Sequence, residues 1–265
     1  MPNPVGSFIW YELMTDDVDS AARFYEKVLG WKVTGNVAKS VSGQDYRMIG
    51  RDDGGNAGGM LPISADMTAN GAKPGWLGYL FTPDVDAAAA AIKADGGAVH
   101  MGPLDIAVGR IAMVSDPTGA VFYIMKPTPP AGKDATSDVY DRKAVQRASW
   151  NELATTDLER ARSFYAQHFG FRFERQMDMG KGGPYCFIEH AGHDMGAMMR
   201  RSEPGPSSWS FAFRTKGTIG AAKRAVEANG GTVIVPPHEV PGGDWIVICN
   251  DPQGARVIFV GSKGD

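Results

Sequence analysis

The chain has 265 residues, a formal net charge of −3 and a charged fraction of 22%. A nearly neutral chain without a lysine or arginine cluster lacks the electrostatic footprint of a nucleic-acid-binding protein. Its apolar runs, such as 121–125, are far shorter than a membrane-spanning helix, and residues 1–6 show no secretory signal. These features predict a cytoplasmic protein without a nucleic-acid or membrane partner.

The first elements along the chain are predicted to be a strand, a helix and two or three further strands. A strand over 8–14 leads into a helix that is capped at Thr15 or Asp16 and ends at Gly30. An apolar stripe along this helix comprises Val18, Ala21, Tyr25 and Val28. The strands that follow are expected near 31–37, 46–49 and 59–63, between glycine-rich and charged turns.

The same order of predicted elements then begins again. A strand over 77–82 precedes a helix over 84–94, which Gly96 and Gly97 close. Three strands are predicted near 98–101, 110–114 and 121–125. Residues 1–126 therefore contain two βαβββ modules in succession.

The second half of the chain repeats the first. Residues 10–17 (WYELMTDD) recur as 150–157 (WNELATTD), and 24–30 (FYEKVLG) recur as 164–170 (FYAQHFG). Further on, 116–119 (DPTG) recurs as 251–254 (DPQG). Several matches in the same order indicate an internal duplication rather than chance.

A linker is predicted between the two copies. Residues 127–147 contain Pro127, Pro129, Pro130 and a polar run, a composition typical of a linker. The predicted organisation is one domain over 1–126, the linker, and a second domain over 148–265.

These motifs together resemble the vicinal oxygen chelate superfamily, which includes glyoxalase, bleomycin-resistance and extradiol dioxygenase proteins. The resemblance rests on the strand–aspartate–helix opening with its Phe-Tyr pair, the Gly58-Gly59-Met60 hairpin and the Asp-Pro-x-Gly turn. It covers both copies and implies an α+β fold of four βαβββ modules in two tandem domains, with half-barrel sheets around a small-molecule site. In most members this site holds a divalent metal.

The positions at which metal-containing members carry their ligands hold poor ligands here. The family uses His or Gln seven residues before the helix aspartate, a second His or Gln in the next module, and Glu on the last strand. At these positions the two copies have Trp10, Leu77 and Tyr123, and Trp150, Ser210 and Ile258. Indole offers no lone pair, and a divalent ion needs three or four oxygen or nitrogen donors. We predict no metal cofactor; a divalent ion at non-standard ligands is the alternative.

Aromatic side chains in place of ligands favour a flat, apolar pocket that stacks on planar rings. The predicted ligand-binding residues are Trp10, Trp76, Leu77, Met60, Arg110, Tyr123, Trp150, Trp209, Ser210 and Trp245. Ordinary core packing is the alternative for any single tryptophan or methionine. Arg110 is expected either to pair with an anionic ligand group or to be a surface arginine.

One acid per copy is a catalytic candidate. Glu12 and Glu152 lie two residues after Trp10 and Trp150, so strand alternation places each acid on the same face as its tryptophan. Such a carboxylate could be a general base or a ligand anchor. The alternative is a structural carboxylate that accepts backbone hydrogen bonds.

Other reactive side chains are not expected to form a site. Cys186 and Cys249 lie in apolar runs and are predicted to be buried, reduced thiols. His190 and His193 flank a glycine turn and are expected to face opposite ways, which argues against a metal site.

Three functions remain open from the sequence. The first is a metal-independent protein that binds a planar aromatic small molecule. The second is a glyoxalase-like lyase or isomerase, or a dioxygenase-like enzyme, that uses a non-standard metal or the acid–base groups Glu12 and Glu152. The third is a non-catalytic interaction module. A monomer and a homodimer are both compatible with the sequence.

Overall fold

The computed structural model describes residues 3–34, 45–129 and 136–264. It contains two eight-stranded mixed sheets, neither of which closes on itself, accompanied by short helices. The predicted α+β class with four βαβββ modules is confirmed. The end of the strand expected over 31–37 and residues 130–135 of the predicted linker lie outside the described residues.

The first copy forms one sheet. Its elements are β1 (Phe8–Thr15), α1 (Val18–Leu29), β2 (Lys32–Thr34), β3 (Arg47–Gly50), β4 (Asn56–Pro62), α2 (Ala65–Ala69), β5 (Gly75–Phe81), α3 (Val85–Ala94), β6 (Ala98–Ile106), β7 (Gly109–Ser115) and β8 (Val121–Pro127). The strand order is β2-β3-β4-β1-β5-β8-β7-β6. The short helix α2 was not predicted.

The second copy repeats this arrangement. Its elements are β9 (Ala148–Thr155), α4 (Leu158–Phe169), β10 (Gln176–Asp178), a 3₁₀ turn (Gly180–Gly182), β11 (Pro184–His190), β12 (His193–Arg200), β13 (Ser208–Thr218), α5 (Ile219–Ala228), β14 (Thr232–Glu239), β15 (Trp245–Asn250) and β16 (Arg256–Ser262). The order β10-β11-β12-β9-β13-β16-β15-β14 matches that of the first sheet.

The residues at the two ends of α1 determine where this helix begins and ends. The predicted cap at Thr15 or Asp16 is wrong: Asp17 is the N-cap, and its carboxylate accepts a hydrogen bond from the Ser20 amide at 2.9 Å. Asp17 has the extended backbone that a cap requires, with φ of −135°. The predicted end at Gly30 is confirmed, since Gly30 is left-handed with φ of 68°.

The sheets follow the two copies, but the packing does not. One compact unit combines Met1–Trp10, Leu77–Ser137 and Trp150–Ser210, and we call it the first packing unit. The second packing unit combines Tyr11–Trp76, Asp138–Ser149 and Phe211–Asp265. Each unit therefore joins one module of the first copy to one module of the second. Helices α3 and α4 meet in the first unit, and α1 and α5 in the second.

A buried hydrogen-bond chain joins the two copies inside the second packing unit. The indole of Trp76 donates to the Tyr25 hydroxyl at 2.8 Å, and Tyr25 donates to the Asp251 carboxylate at 3.1 Å. Asp251 also accepts from the amides of Gln253 and Ala255 in its own Asp-Pro-x-Gly turn. The Phe-Tyr motif of one copy thus binds the turn motif of the other.

The first packing unit contains the reciprocal arrangement. Trp209 donates to the Tyr165 hydroxyl at 2.9 Å. Burial, followed by the charge of Asp116, raises the pKa of Tyr165 well above its usual value. Tyr25 shows the same raised pKa from burial and Asp251. Both phenols therefore remain protonated hydrogen-bond donors at neutral pH.

The segment before the second copy is held in the second packing unit by polar contacts. Buried Gln146 accepts a hydrogen bond from the Trp31 indole at its backbone oxygen, at 3.0 Å. The guanidinium of Arg51 is buried and forms ion pairs with Asp53 and Asp138. Residues 138–147 of the predicted linker therefore belong to this unit.

Two further observations bear on the sequence predictions. Both cysteines are buried free thiols, as predicted. No helix among the described ranges is long and apolar enough to cross a membrane.

Replacing Tyr25 by phenylalanine should test the hydrogen-bond chain. The change leaves the Trp76 indole and one Asp251 oxygen without this partner in the core, so the free energy of unfolding should fall by about 2–4 kcal/mol. Chemical denaturation of the full chain measures it. Tyr165→Phe, the counterpart in the other copy, should cost a similar amount. A loss below about 0.5 kcal/mol for both would contradict a structural role for the chain.

Candidate functional site

Residues alternate between two faces of each sheet. One face packs against the helices, and we call the other the helix-free face. In the first packing unit, Tyr79 is paired with Tyr123, and Tyr123 with Met113, in strand register. Registered partners point to the same side, so these side chains share the helix-free face. The rings of Tyr79 and Tyr123 are stacked, with centroids 4.2 Å apart and planes 17° apart.

An apolar cluster surrounds these two rings, and we call it the aromatic patch. Its buried members are Ile9, Tyr79, Ile111, Tyr123 and Met125. Its partly exposed members are Trp10, Leu77, Phe81, Met101, Leu104, Ile106 and Met113. The predicted residues Trp10, Leu77 and Tyr123 therefore come together. They form a surface of rings, aliphatic groups and thioethers.

The residues at the family's ligand positions do not fit a divalent metal. Trp10 and Leu77 have no donor atom for an ion, and the Tyr123 ring is stacked within the patch. In the second copy, Trp150, Ser210 and Ile258 hold the same positions, and a lone hydroxyl cannot make a site. Within the described residues, no group of three or more His, Cys, Asp or Glu is placed to hold an ion.

A polar cluster lies on the helix-free face of the second copy's first module. The Tyr185 hydroxyl donates to the Glu152 carboxylate at 2.5 Å and accepts from the Trp150 indole at 2.8 Å. Phe187 packs edge-on against both Trp150 and Tyr185. The predicted pairing of acid and tryptophan on one face thus occurs here, and Tyr185 connects them.

The Tyr185 hydroxyl is held protonated by its surroundings. Burial, and next the charge of Glu152, raise the pKa of Tyr185 far above its usual value. A phenol that keeps its proton donates steadily to the carboxylate, which leaves Glu152 an acceptor. The arrangement can anchor a hydrogen-bond donor or accept a proton from a ligand.

In the first copy the corresponding acid is more deeply placed. Glu12 is 2% exposed and lies beside Gly59 in parallel register. The Tyr46 hydroxyl occupies the space where a side chain on Gly59 would lie, 2.1 Å from an ideal Cβ. A side chain on Gly59 would therefore require the Tyr46 ring to move. Tyr46 stands two residues before the β4-registered Met48, as Tyr185 stands before Phe187 in β11.

Three predicted ligand-binding residues lie on the opposite face and pack in the core. Trp76 and Trp209 are 5% and 7% exposed, and each indole bonds a helix tyrosine. Met60 is fully buried and registered with Leu13, whose side chain is also fully buried. Strand alternation is the reason: Trp76 and Trp209 adjoin Leu77 and Ser210 and must therefore point the other way.

Arg110 and Trp245 also lie away from the helix-free face. Arg110 forms a two-bond ion pair with Asp86 of α3, with nitrogen–oxygen distances of 2.6 and 2.8 Å, and also bonds Asp105. Its guanidinium is thus paired with two carboxylates of the protein itself. Trp245 alternates in phase with the buried Val247 and lies beside α5.

The two histidines contradict the prediction that they face opposite ways. His190 and His193 are registered partners across a two-residue hairpin, so both point to one side. The error came from counting residues through a turn as if the strand continued. They make separate contacts: His190 lies 3.4 Å from the Ser7 hydroxyl, whereas His193 contacts the Ala191 carbonyl.

The tyrosines were the residues missed by the sequence reasoning. Tyr79 lies in the aromatic patch, Tyr185 in the polar cluster and Tyr46 beside Gly59, and none was a candidate. A signal existed for one pair, Tyr46 and Tyr185. Each stands two residues before a residue that pairs with β4 or β12, and these strands in turn pair with the two Trp-x-Glu strands. Recognising this pattern requires the strand register, which cannot be read from the sequence alone.

Comparison with known families identifies the fold. The model of the Glyoxalase/Bleomycin resistance protein/Dioxygenase superfamily matches residues 7–124 and 147–259. The chain belongs to this superfamily. The two matched segments correspond to the two copies found by repeat analysis.

Two groups of curated proteins are similar to this chain. "Putative glyoxylase CFP32" of Mycobacterium bovis is 41% identical over 128 residues, which are 48% of this chain and 46% of that protein. The match thus spans about half the length of that relative. The anthracycline biosynthesis protein DauV of Streptomyces sp. is 28% identical over 264 residues, covering 94% of this chain and 91% of DauV.

Solved structures share the fold. The Mn(II)-bound glyoxalase from Novosphingobium aromaticivorans superposes with a TM-score of 0.66 at 17% identity, over 98% of this chain and 83% of that one. The 2,3-dioxygenase LapB from Pseudomonas sp. KL28 gives 0.65 at 15% identity, over 100% and 94%. At such identities the likeness concerns architecture alone.

The variant Glu152→Gln should lower the pKa of Tyr185. The Glu152 charge raises that pKa, so its removal favours the phenolate, while the larger effect of burial persists. Tyrosine ring-carbon NMR shifts followed through alkaline pH measure the change. Glu189→Gln, which removes a carboxylate paired with Arg172, is the control and should leave Tyr185 unchanged. An identical titration of Tyr185 in both variants would contradict the Glu152 contact.

Proposed function

We propose that this protein binds a planar aromatic small molecule on the aromatic patch, with no metal at the family's ligand positions. The observation that carries the proposal is the patch itself. Stacked Tyr79 and Tyr123 form its floor, and partly exposed Trp10 and Leu77 stand at the family's ligand positions. A flat apolar ligand would exchange water contact for ring contact there.

The composition of the patch supports a ligand that is flat and largely apolar. Met101 and Met113 are partly exposed, and flexible thioethers adapt to ring edges. Contiguous apolar surface, as distinct from a single exposed side chain, is typical of ligand and partner sites, and here it includes the partly exposed indole of Trp10.

The full-length relatives agree with this ligand class. DauV, and DnrV of Streptomyces peucetius at 27% identity, are named as anthracycline biosynthesis proteins and match 94% of this chain. Anthracyclines contain a flat ring system of the kind that stacks on aromatic side chains. The relation supports a polycyclic aromatic ligand.

A second candidate is a glyoxalase-like enzyme that uses acid–base chemistry. It is favoured by the hydrogen bond between Tyr185 and Glu152 and by the similarity to "Putative glyoxylase CFP32". Glu152 would accept a proton from the carbon acid of a bound carbonyl compound, and Tyr185 would fix the orientation of the carboxylate. We rank it second because the metal positions lack ligands.

Titration calorimetry with 1,4-dihydroxyanthraquinone tests the proposal. We expect saturable binding that survives treatment with EDTA, and about tenfold weaker binding to Trp10→Ala, because the variant loses a stacking ring. Trp10→Phe retains a ring and should bind nearly as well as the unaltered protein. Phe173→Ala removes a partly exposed ring that lies outside the patch and is the matched control.

Three results would contradict the proposal. The first is no binding of the anthraquinone by the folded protein. The second is equal loss of affinity in Trp10→Ala and Phe173→Ala. The third is a stoichiometric transition metal in the purified protein together with turnover of a methylglyoxal–thiol adduct that Glu152→Gln abolishes, which would establish the second candidate instead.

A further inference from the structure

A surface cleft of about 420 Å³ lies in the second packing unit, on the helix side of the sheet and apart from the residues of the aromatic patch. It is lined by Ile219, Gly220, Lys223, Arg224, Pro237, Trp245, Lys263 and Gly264. One wall is thus the first turns of α5, and the other is formed by strand ends. Neither the family comparison nor the proposed function assigns a role to it.

The cleft combines an aromatic ring with cations. The ammonium of Lys263 lies 5.3 Å from the centre of the Trp245 ring, within the range of a cation–π contact. Lys223 lies on α5 and also pairs with Glu227, at 2.7 Å. Arg224 follows it on the same helix. A planar ring stacked on Trp245 would therefore bring an attached anion near basic groups.

The duplication supplies an internal comparison for this cleft. In the first copy, Arg110 stands at the place of Trp245, and Asp86, in the first turn of α3, stands at the place of Gly220 in α5. There the two side chains bond each other through two hydrogen bonds. In the second copy both members of that ion pair are gone, and an indole and a glycine replace them. The ion pair of one copy thus corresponds to an open cleft in the other.

Two neighbouring residues of the helix changed in the same direction. A third changed in the opposite one, because Glu227 of α5, which pairs with Lys223, stands where α3 has Lys93. In the first copy, Ala89 and Ala90 of α3 stand where Lys223 and Arg224 stand in α5. Removal of an acid and gain of two basic residues both favour an anion. The start of α5 adds to this, since the first-turn amides of a helix carry partial positive charge.

We infer that this cleft binds a small aromatic carboxylate, with the ring against Trp245 and the carboxylate toward Lys263, Lys223 and Arg224. The inference does not depend on the proposed function, because the aromatic patch belongs to the first packing unit and takes an uncharged ring system. It gives the protein a second, chemically different ligand site in its second copy.

Naphthalene-2-carboxylate is the probe, with naphthalene-2-methanol as its uncharged match. Calorimetry on the full chain should give saturable binding of the carboxylate, and at least about tenfold weaker binding of the alcohol, because the alcohol lacks the charge-assisted contacts. Lys263→Gln combined with Lys223→Gln should reduce carboxylate affinity by a similar factor and leave alcohol affinity unchanged.

The repeat offers a sharper variant. Gly220→Asp with Trp245→Arg introduces the first copy's ion pair into the second and should abolish carboxylate binding. Binding of 1,4-dihydroxyanthraquinone to the same variant reports on the aromatic patch and should not change, so failure of either site is recognised separately. Thermal unfolding confirms that the variant is folded; if it is not, the lysine pair of substitutions decides.

Three results would overturn the inference. One is absence of carboxylate binding to the unaltered protein at millimolar probe. The second is carboxylate binding that the folded Gly220→Asp/Trp245→Arg variant retains. The third is binding that Trp10→Ala weakens as much as the lysine substitutions do, because the probe would then occupy another place.

Discussion

The buried chain from tryptophan through tyrosine to the Asp-Pro-x-Gly turn is the interaction on which the rest of the structure depends. Tyr25 links the first helix of one copy to Asp251 in the last turn of the other. Its hydroxyl also accepts from Trp76, so one buried group satisfies two partners. The same residue types recur around Tyr165 in the first packing unit. The motifs that reveal the duplication therefore also form the buried hydrogen bonds between the two copies.

Because the contacts between the copies lie on the helix side, residues on the helix-free faces can differ between the two copies. Residues facing the helices must preserve the interlock, whereas those on the other face are tied to it only through the strands. The first copy accordingly has the stacked rings of Tyr79 and Tyr123 where the second has Ala212 and Ile258 in the same register. It also has a buried Glu12 where the second has the partly exposed Glu152, which bonds Tyr185. The cleft at Trp245 is a third difference, on the helix side. Duplication here supports distinct sites rather than two equal ones.

Much of the fold could be predicted from sequence because its signals are local. The end of α1 at Gly30 and its apolar stripe with Tyr25 follow from helix geometry, and both features recur in the second copy at Gly170 and Tyr165. The candidate site was harder to predict, because the sheet face to which a side chain points depends on the strand register. Trp76 differs from Leu77 by one position and thus points into the core. His190 and His193 share a side only because their turn has two residues. Tyr185 meets Glu152 through strand pairing between distant segments, which no local pattern encodes.

The central claim is that each packing unit needs both copies, and separate fragments test it most directly. Residues 1–129 and 136–265 should each fail to fold as a monomer when expressed alone, because Tyr25 and Tyr165 would lose their partners in the other copy. The second fragment keeps Asp138 and Gln146, which contact Arg51 and Trp31. Mixed at equal concentrations, they should form a one-to-one complex with the circular dichroism spectrum of the intact chain, measured together with sedimentation equilibrium. Two independently folded monomers that do not associate would contradict the account.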